Sequence, residues 1–215
     1  MATLMQTRNV AAAYDRWAPI YDLVFGPVFR RGRSDAIVAA NRIGGKVLEV
    51  GVGTGISLPG YGHNCRLHGI DISPQILEKA RQRVKALGLA NVDALDVMDA
   101  EALPFEDDSF DVVVAQYVIT AIPDPERALD EFVRVLRPGG EIIITTRVGA
   151  NIGMRGSIEK ALMPVTSRLG FRTDFPWERY ADWDARTSQV ELIERRALPP
   201  LGHFALVRFR KTKDA

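Results

Sequence analysis

The stretch K-V-L-E-V-G-V-G-T-G, Lys46 to Gly55, runs a strand into a glycine-rich turn. Val47 to Val50 is a short apolar run with β-branched residues, the composition of a buried parallel strand, and Glu49 interrupts it just ahead of Gly51, Gly53 and Gly55. These glycines are predicted to take positive φ and to bring the backbone closer to a ligand than a side chain would allow. A tight turn without a ligand is the plainer reading of the same residues. Twenty residues beyond Gly51, H-G-I-D-I, His68 to Ile72, sets Asp71 at the tip of a second strand, where an acid holds ribose hydroxyls. Loop and acid together read as a nucleoside site.

The spacing narrows the nucleoside. A dinucleotide fingerprint, G-x-G-x-x-G, requires glycine at position 56, and Ile56 stands there. The pattern E-x-G-x-G-x-G instead resembles motif I of the class I S-adenosylmethionine-dependent methyltransferases. V-M-D-A-E-A-L-P-F, Val97 to Phe105, is similar to that family's x-D-A-x-x-L-P-F segment, and L-R-P-G-G, Leu136 to Gly140, to its block before the fifth strand. The resemblance implies S-adenosyl-L-methionine as cofactor. Glu49 would stand near its amino-acid end, Gly51, Gly53, Thr54 and Gly55 would wrap it, and Asp71 would hold its ribose. Asp99 would accept from the adenine amine, with Ile72, Met98 and Ala100 around the ring. Asp99 as a turn residue is the plainer alternative.

A chain of 215 residues, 47% hydrophobic and 26% charged, is sufficient for one full core. The resemblance implies an α/β fold, a Rossmann-like doubly wound sheet of seven strands, mostly parallel with the last antiparallel, behind an N-terminal lid helix. One domain over 1–215 is expected, with 1–42 as a helical lid or membrane-contacting segment and 147–175 as a substrate cover. Cys65, the single cysteine, excludes an internal disulfide framework. The histidines His63, His68 and His203 share no metal-ligand spacing, so no metal is expected. No apolar run approaches the roughly 18 residues a spanning helix needs, and M-A-T-L-M-Q-T-R lacks a signal-peptide core. A soluble cytoplasmic monomer able to touch a membrane surface is expected.

Net charge is only +1, yet from Asp93 to Glu131 twelve acids face Arg127 alone. Bases gather at Arg30, Arg31 and Arg33, from Arg147 to Arg172, and from Arg208 to Lys213. Solvated surface is the plain reading; a cationic face for anionic lipid or nucleic acid is the sharper one.

Near the N-terminus, Asn9 is suited to cap a helix with Val10, Ala13, Tyr14, Trp17 and Tyr21 at helical spacing, interrupted at Pro19 and again at Gly26 and Pro27. Such a segment serves as a lid, as an interfacial anchor, or simply as a packing helix. Y-D-R-W-A-P-I-Y-D, Tyr14 to Asp22, resembles the lead-in of methyltransferases acting on quinone precursors and phospholipids, which implies Tyr14 and Tyr21 at the roof of the site. Downstream, Ser73 and Pro74 start a helix stopped by Gly88, and Asp124 and Pro125 start another. F-D-V-V-V, Phe110 to Val114, is a buried strand that delivers Gln116 and Tyr117 to the reacting end of the sheet. Gln189 to Leu198 and His203 to Phe209 read as a closing hairpin.

Substrate is less legible. No N-P-P-Y-type tetrad follows the fourth strand, which argues against nucleic-acid methylation. The aromatic and basic N-terminal segment looks most like bacterial phosphatidylethanolamine N-methyltransferases, implying a phospholipid substrate at an anionic membrane surface, on the cytoplasmic face of the inner membrane. Tyr21 and Gln116 are then the candidates for orienting the amine, with Tyr117, Arg147, Arg155 and His203 toward the lipid; a lone histidine beside a strand is more often structural. A quinone-precursor methyltransferase and a noncatalytic cofactor-binding lipid-surface protein share the same motifs.

Overall fold

The structure, a computed structural model, describes residues 29–147, 177–199 and 204–213. Seven strands form one sheet: β1 (Gly45–Val50), β2 (Cys65–Asp71), β3 (Val92–Val97), β4 (Phe110–Gln116), β5 (Leu136–Arg147), β6 (Val190–Leu198) and β7 (Phe204–Lys211). Their order across the sheet is β3-β2-β1-β4-β5-β7-β6. β1 to β5 pair in parallel, and β7 runs antiparallel to both β5 and β6. This is the expected doubly wound sheet with its closing hairpin. Sequence order reverses between β1 and β4, and a crevice opens beyond the strand ends at such a point.

Four helices among the described residues cover the sheet. α1 occupies residues 29–43, followed by α2 (Pro74–Leu87), α3 (Pro125–Val135) and α4 (Trp177–Thr187). Alternate residues of each central strand feed opposite cores, as the two-residue strand period dictates. Val47, Val112, Val114 and Ile143 pack with Ala36, Ile37 and Ala40 of α1 and Leu77 and Ala80 of α2. Leu48, Val50, Val113, Ile142 and Ile144 pack with Ala128, Leu129 and Phe132 of α3 and Tyr180 and Trp183 of α4.

The helix boundaries follow local chemistry. Ser73 Oγ accepts from the Ile76 amide at 3.2 Å ahead of Pro74, and Gly88 ends α2 at φ 60°. Asp124 Oδ1 accepts from the Arg127 amide at 3.2 Å and caps α3. Leu87, near the end of α2, is exposed, beyond the half of the helix that the sheet buries. R-P-G-G lies inside β5, where pairing with β4 slips between Leu136 and Glu141 and Gly139 takes φ 83°.

The acidic run is folded into ion pairs with bases from elsewhere in the chain: Asp93 with Arg66, Asp107 and Glu131 with Arg134, Asp108 with Lys211, Asp111 with Arg137, Glu126 with Arg179. The C-terminal basic cluster is committed in the same way, Arg208 and Arg210 both meeting Glu141. Arg30, Arg31 and Arg42 of α1 remain exposed.

Candidate active site

A cavity opens where sequence order reverses. Phe29 and Arg33 of α1, Glu49 of β1, Gly51, Gly53 and Thr54 of the turn, and Asp71 and Ile72 line it. So do Met98, Asp99 and Ala100 after β3, and Gln116 and Tyr117 at the end of β4. Residues from five stretches, separate in sequence, thus converge on one cavity.

Glu49 faces α1 because alternate residues of β1 do, and it is only 2% exposed. Its Oε1 accepts from Ser57 Oγ at 2.6 Å and from Gln116 Nε2 at 3.1 Å. Among the described residues its Oε2 has no partner, and neither has Gln116 Oε1. Burial dominates its titration and pushes the carboxyl up to about 7, against the smaller opposing pull of the Ser57 and Tyr61 hydroxyls and of the Arg33 charge. Two acceptor atoms, stripped of water and unfilled, are costly by themselves. They suit a ligand that brings N–H donors.

The turn glycines behave as glycines must. Gly51, Gly53 and Gly55 have φ of 68°, 58° and 72°. Gly53 leaves open space on its cavity side, whereas a Cβ at Gly55 would press on Leu58 and Ala80. Gly55 does not line the cavity; its smallness seats the turn on α2. Asp71 Oδ2 accepts from the Gly53 amide and Oδ1 from the Ser73 amide, each at 3.0 Å, so one carboxylate ties the turn to the start of α2. Asp99 Oδ1 accepts from the Glu101 amide at 3.0 Å, so Asp99 shapes a turn and lines the cavity at once.

Tyr117 takes φ 57°, a left-handed conformation that is uncommon for an aromatic residue. Its ring stacks on Phe29 with centroids 4.1 Å apart, and Phe204 meets both rings edge-on. Strain of this kind persists where surrounding structure enforces it, commonly at ligand sites.

Arg147 ends β5 and does not line the cavity. Tyr14, Tyr21, Arg155 and His203 lie outside the described residues. Phe29, Arg33 and Ser57 are site residues that the sequence reading missed. Phe29 and Arg33 stand four apart, one helical turn, and so share a face of the helical segment expected up to residue 42. Ser57 carries no signal of its own.

The lining carries Arg33 against Glu49, Asp71 and Asp99, an acidic balance that suits a cationic ligand. A sulfonium nucleoside bearing an amino acid fits it: an acid at the ribose position, donor-free acceptors for an ammonium, and an open turn at Gly53. Among the described residues, no group of three or more His, Cys, Asp or Glu is arranged to hold a metal. No helix among them is long and apolar enough to cross a membrane.

Comparison with known proteins agrees. Residues 48–144 match the family described as a methyltransferase domain. The chain is 40% identical to a phosphatidylethanolamine N-methyltransferase of Cereibacter sphaeroides, over 96% of this chain and 100% of that protein. It is 35% identical to a ubiquinone/menaquinone biosynthesis C-methyltransferase of Roseobacter denitrificans, over 63% of this chain and 55% of that one. In fold it is similar to the YcgJ protein of Bacillus subtilis, with a TM-score of 0.71 at 18% identity, covering 85% of this chain and 99% of that chain.

Proposed function

The chain belongs to the S-adenosylmethionine-dependent methyltransferases, and from that premise we propose that it methylates the headgroup amine of phosphatidylethanolamine and of its mono- and dimethyl derivatives, toward phosphatidylcholine. The observation that carries this reading is the length of the match. Similarity to the phosphatidylethanolamine enzyme spans 96% of the chain, including the segments outside the cofactor motifs that must distinguish substrates, whereas similarity to the quinone enzyme spans 63%.

When bound, S-adenosylmethionine supplies an electrophilic methyl group on a cationic sulfur. The part left to the protein is placement. Holding donor and acceptor in line and excluding water supplies effective molarities of about 10⁵ M or more. Gln116, at the end of β4 beside Glu49, offers its unfilled Oε1 to orient the amine, with Tyr21 as its partner from the N-terminal segment. The Phe29 and Tyr117 side chains, which both line the cavity, give it an aromatic wall that favours a headgroup gaining methylammonium character. Tyr14 completes the cofactor pocket, and Arg147, Arg155 and His203 lie toward the lipid, the arginines to meet its phosphate. Residues 1–42 and 147–175 flank the site as roof and substrate cover. The enzyme works as a monomer, peripherally on the cytoplasmic face of the inner membrane.

The test is transfer of labelled methyl from S-adenosylmethionine to phosphatidylethanolamine in mixed anionic liposomes, with the products separated by headgroup. Mono-, di- and trimethylated lipid is the expected result. Cofactor binding without any labelled lipid would overturn the lipid assignment and direct attention to soluble acceptors.

A further inference from the structure

β3 and β4 are not neighbours in the sheet: β2 and β1 lie between them, so the two strands stand three spacings apart, about 14 Å. Residues beyond both ends nevertheless line one cavity, Met98, Asp99 and Ala100 after β3 and Ala121, Ile122 and Pro123 after β4. One residue joins these stretches. Glu101 is 5% exposed, and its Oε1 accepts from the Asp124 amide at 2.9 Å. Its own amide donates to Asp99 Oδ1 at 3.0 Å, and its carbonyl accepts from Arg127 Nε at 2.9 Å.

Helix chemistry explains the need for an acid. Asp124 caps α3, and a capping box satisfies the cap residue's own amide with a glutamate or glutamine at the third helical position. Arg127 holds that position, and a guanidinium cannot accept. Glu101 supplies the acceptor from 23 residues away, where its charge also meets the positive end of the α3 dipole. A glutamate within α3 would satisfy the same amide without touching the loop after β3. Placed next to Ala100, it fixes Asp99 and Ala100 against the stretch that carries Ile122 and Pro123.

We propose that Glu101 is a positioning residue for the cofactor's base: it stays outside the cavity lining and sets the gap between the two stretches that hold the base. This inference rests on the cofactor reading of the cavity and is independent of the acceptor substrate. The same walls hold the base before and during methyl transfer, and contacts of that uniform kind govern KM and leave kcat alone. Glutamine keeps an acceptor for the Asp124 amide, whereas alanine leaves that amide unpaired.

Titration calorimetry on the full chain tests this with S-adenosylhomocysteine and with methylthioadenosine, which keeps the base, ribose and thioether and lacks the amino-acid end. Glu101→Ala is expected to bind both at least tenfold more weakly and by the same factor, with Glu101→Gln within threefold of the wild type. In methyl transfer, KM for S-adenosylmethionine should rise by a similar factor and kcat stay within twofold. Unchanged affinities with a lowered melting temperature would overturn the assignment in favour of a cap that serves the fold alone. A loss confined to S-adenosylhomocysteine, or a fall in kcat at unchanged affinity, would overturn it by placing the effect away from the base. Should Glu101→Ala not fold, amide exchange in the wild type decides. The Asp124 and Glu101 amides should slow together, at least tenfold, on addition of S-adenosylhomocysteine, and exchange indifferent to the ligand would sink the proposal. A wild-type chain that binds neither ligand would instead remove the cofactor reading itself, while binding without turnover on phospholipid would count against the acceptor and leave the affinity comparison to decide.

Discussion

A methyl group at Gly32 would overlap the Tyr117 hydroxyl and lie 2.9 Å from Leu198 Cδ1. Glycine in a helix interior costs about 1 kcal/mol relative to alanine, so α1 keeps an unfavourable residue where Tyr117 needs the space. Gly32→Ala should therefore leave the melting temperature within a few degrees of the wild type, propensity offsetting contact. Its relief is to turn the Tyr117 ring off Phe29, because the clashing atom is the end of a side chain. A misplacement of about 1 Å at a reacting site can cost up to 100-fold; a fall in kcat/KM of about tenfold or more is expected. Unaltered kinetics with a normal melt would show that the ring position is immaterial.

The raised carboxyl of Glu49 sets a sign for pH dependence. Its pKa in the folded protein is about 7 against an ordinary value of 4.5, so the folded state binds the extra proton between these values. Stability of the cofactor-free protein is highest below the ordinary value and declines as pH rises toward 7. The total loss is about 3 kcal/mol, taking 1.4 kcal/mol per unit. Glu49→Gln removes this slope and preserves an acceptor for Ser57 and Gln116. Thermal melts from pH 5 to 8.5 should show a flatter profile for the variant, with weaker cofactor binding.

Asp71 joins two backbone amides, those of Gly53 and Ser73, through its two oxygens. Asp71→Asn leaves one acceptor, places an NH₂ against an N–H, and loses the charge that strengthens both bonds. Amide exchange at Gly53 and Ser73 should quicken, and cofactor affinity should fall about tenfold or more. Unchanged exchange alongside weakened binding would instead mean that the carboxylate acts on the ligand alone.

What the chain announced locally is what local chemistry controls. Ser73 and Pro74, Asp124 and Pro125, and the turn after Val50 act through neighbours a few residues away, and each is found where its pattern predicts. α4 escaped notice although Tyr180 and Trp183 stand three apart and are buried. Its firm contacts, Trp183 Nε1 to Asp130 and Arg179 to Glu126, reach 53 residues back along the chain. The same distance in sequence hides the site's additions. Nothing near Tyr117 foretells a positive φ, and only the pairing of β1 with β4 brings Gln116 to Glu49.

Arg134 fastens the loop that carries Asp99. It donates to the carbonyls of Leu103 and Phe105 at 2.8 and 2.7 Å and to the carboxylates of Glu131 and Asp107. Glu131 in turn accepts from the Leu103 amide at 2.7 Å, and the Arg134 guanidinium holds its carboxyl below the usual range. Stability from Glu131 is therefore present above its ordinary pKa and is lost as pH falls, opposite in sense to Glu49. Arg134→Met should cost about 2 kcal/mol in urea unfolding at neutral pH, and the loss should shrink at pH 3. A cost that stays constant with pH would assign it to packing.

The outer face of α1 gives the membrane proposal its sharpest test. Arg30, Ser34, Val38 and Arg42 recur every four residues and are exposed, with Arg31 beside them, a stripe of bases around one apolar side chain. Each base near an anionic surface contributes about 1 kcal/mol, and the effect decays with salt. Reversing Arg30 and Arg31 to glutamate should therefore cut binding to anionic vesicles about 30-fold or more at low salt, leaving S-adenosylhomocysteine affinity unchanged because neither residue lines the cavity. Sedimentation with vesicles of increasing anionic content measures the first, and calorimetry the second. Vesicle binding that ignores both the reversal and the salt would move the contact away from α1.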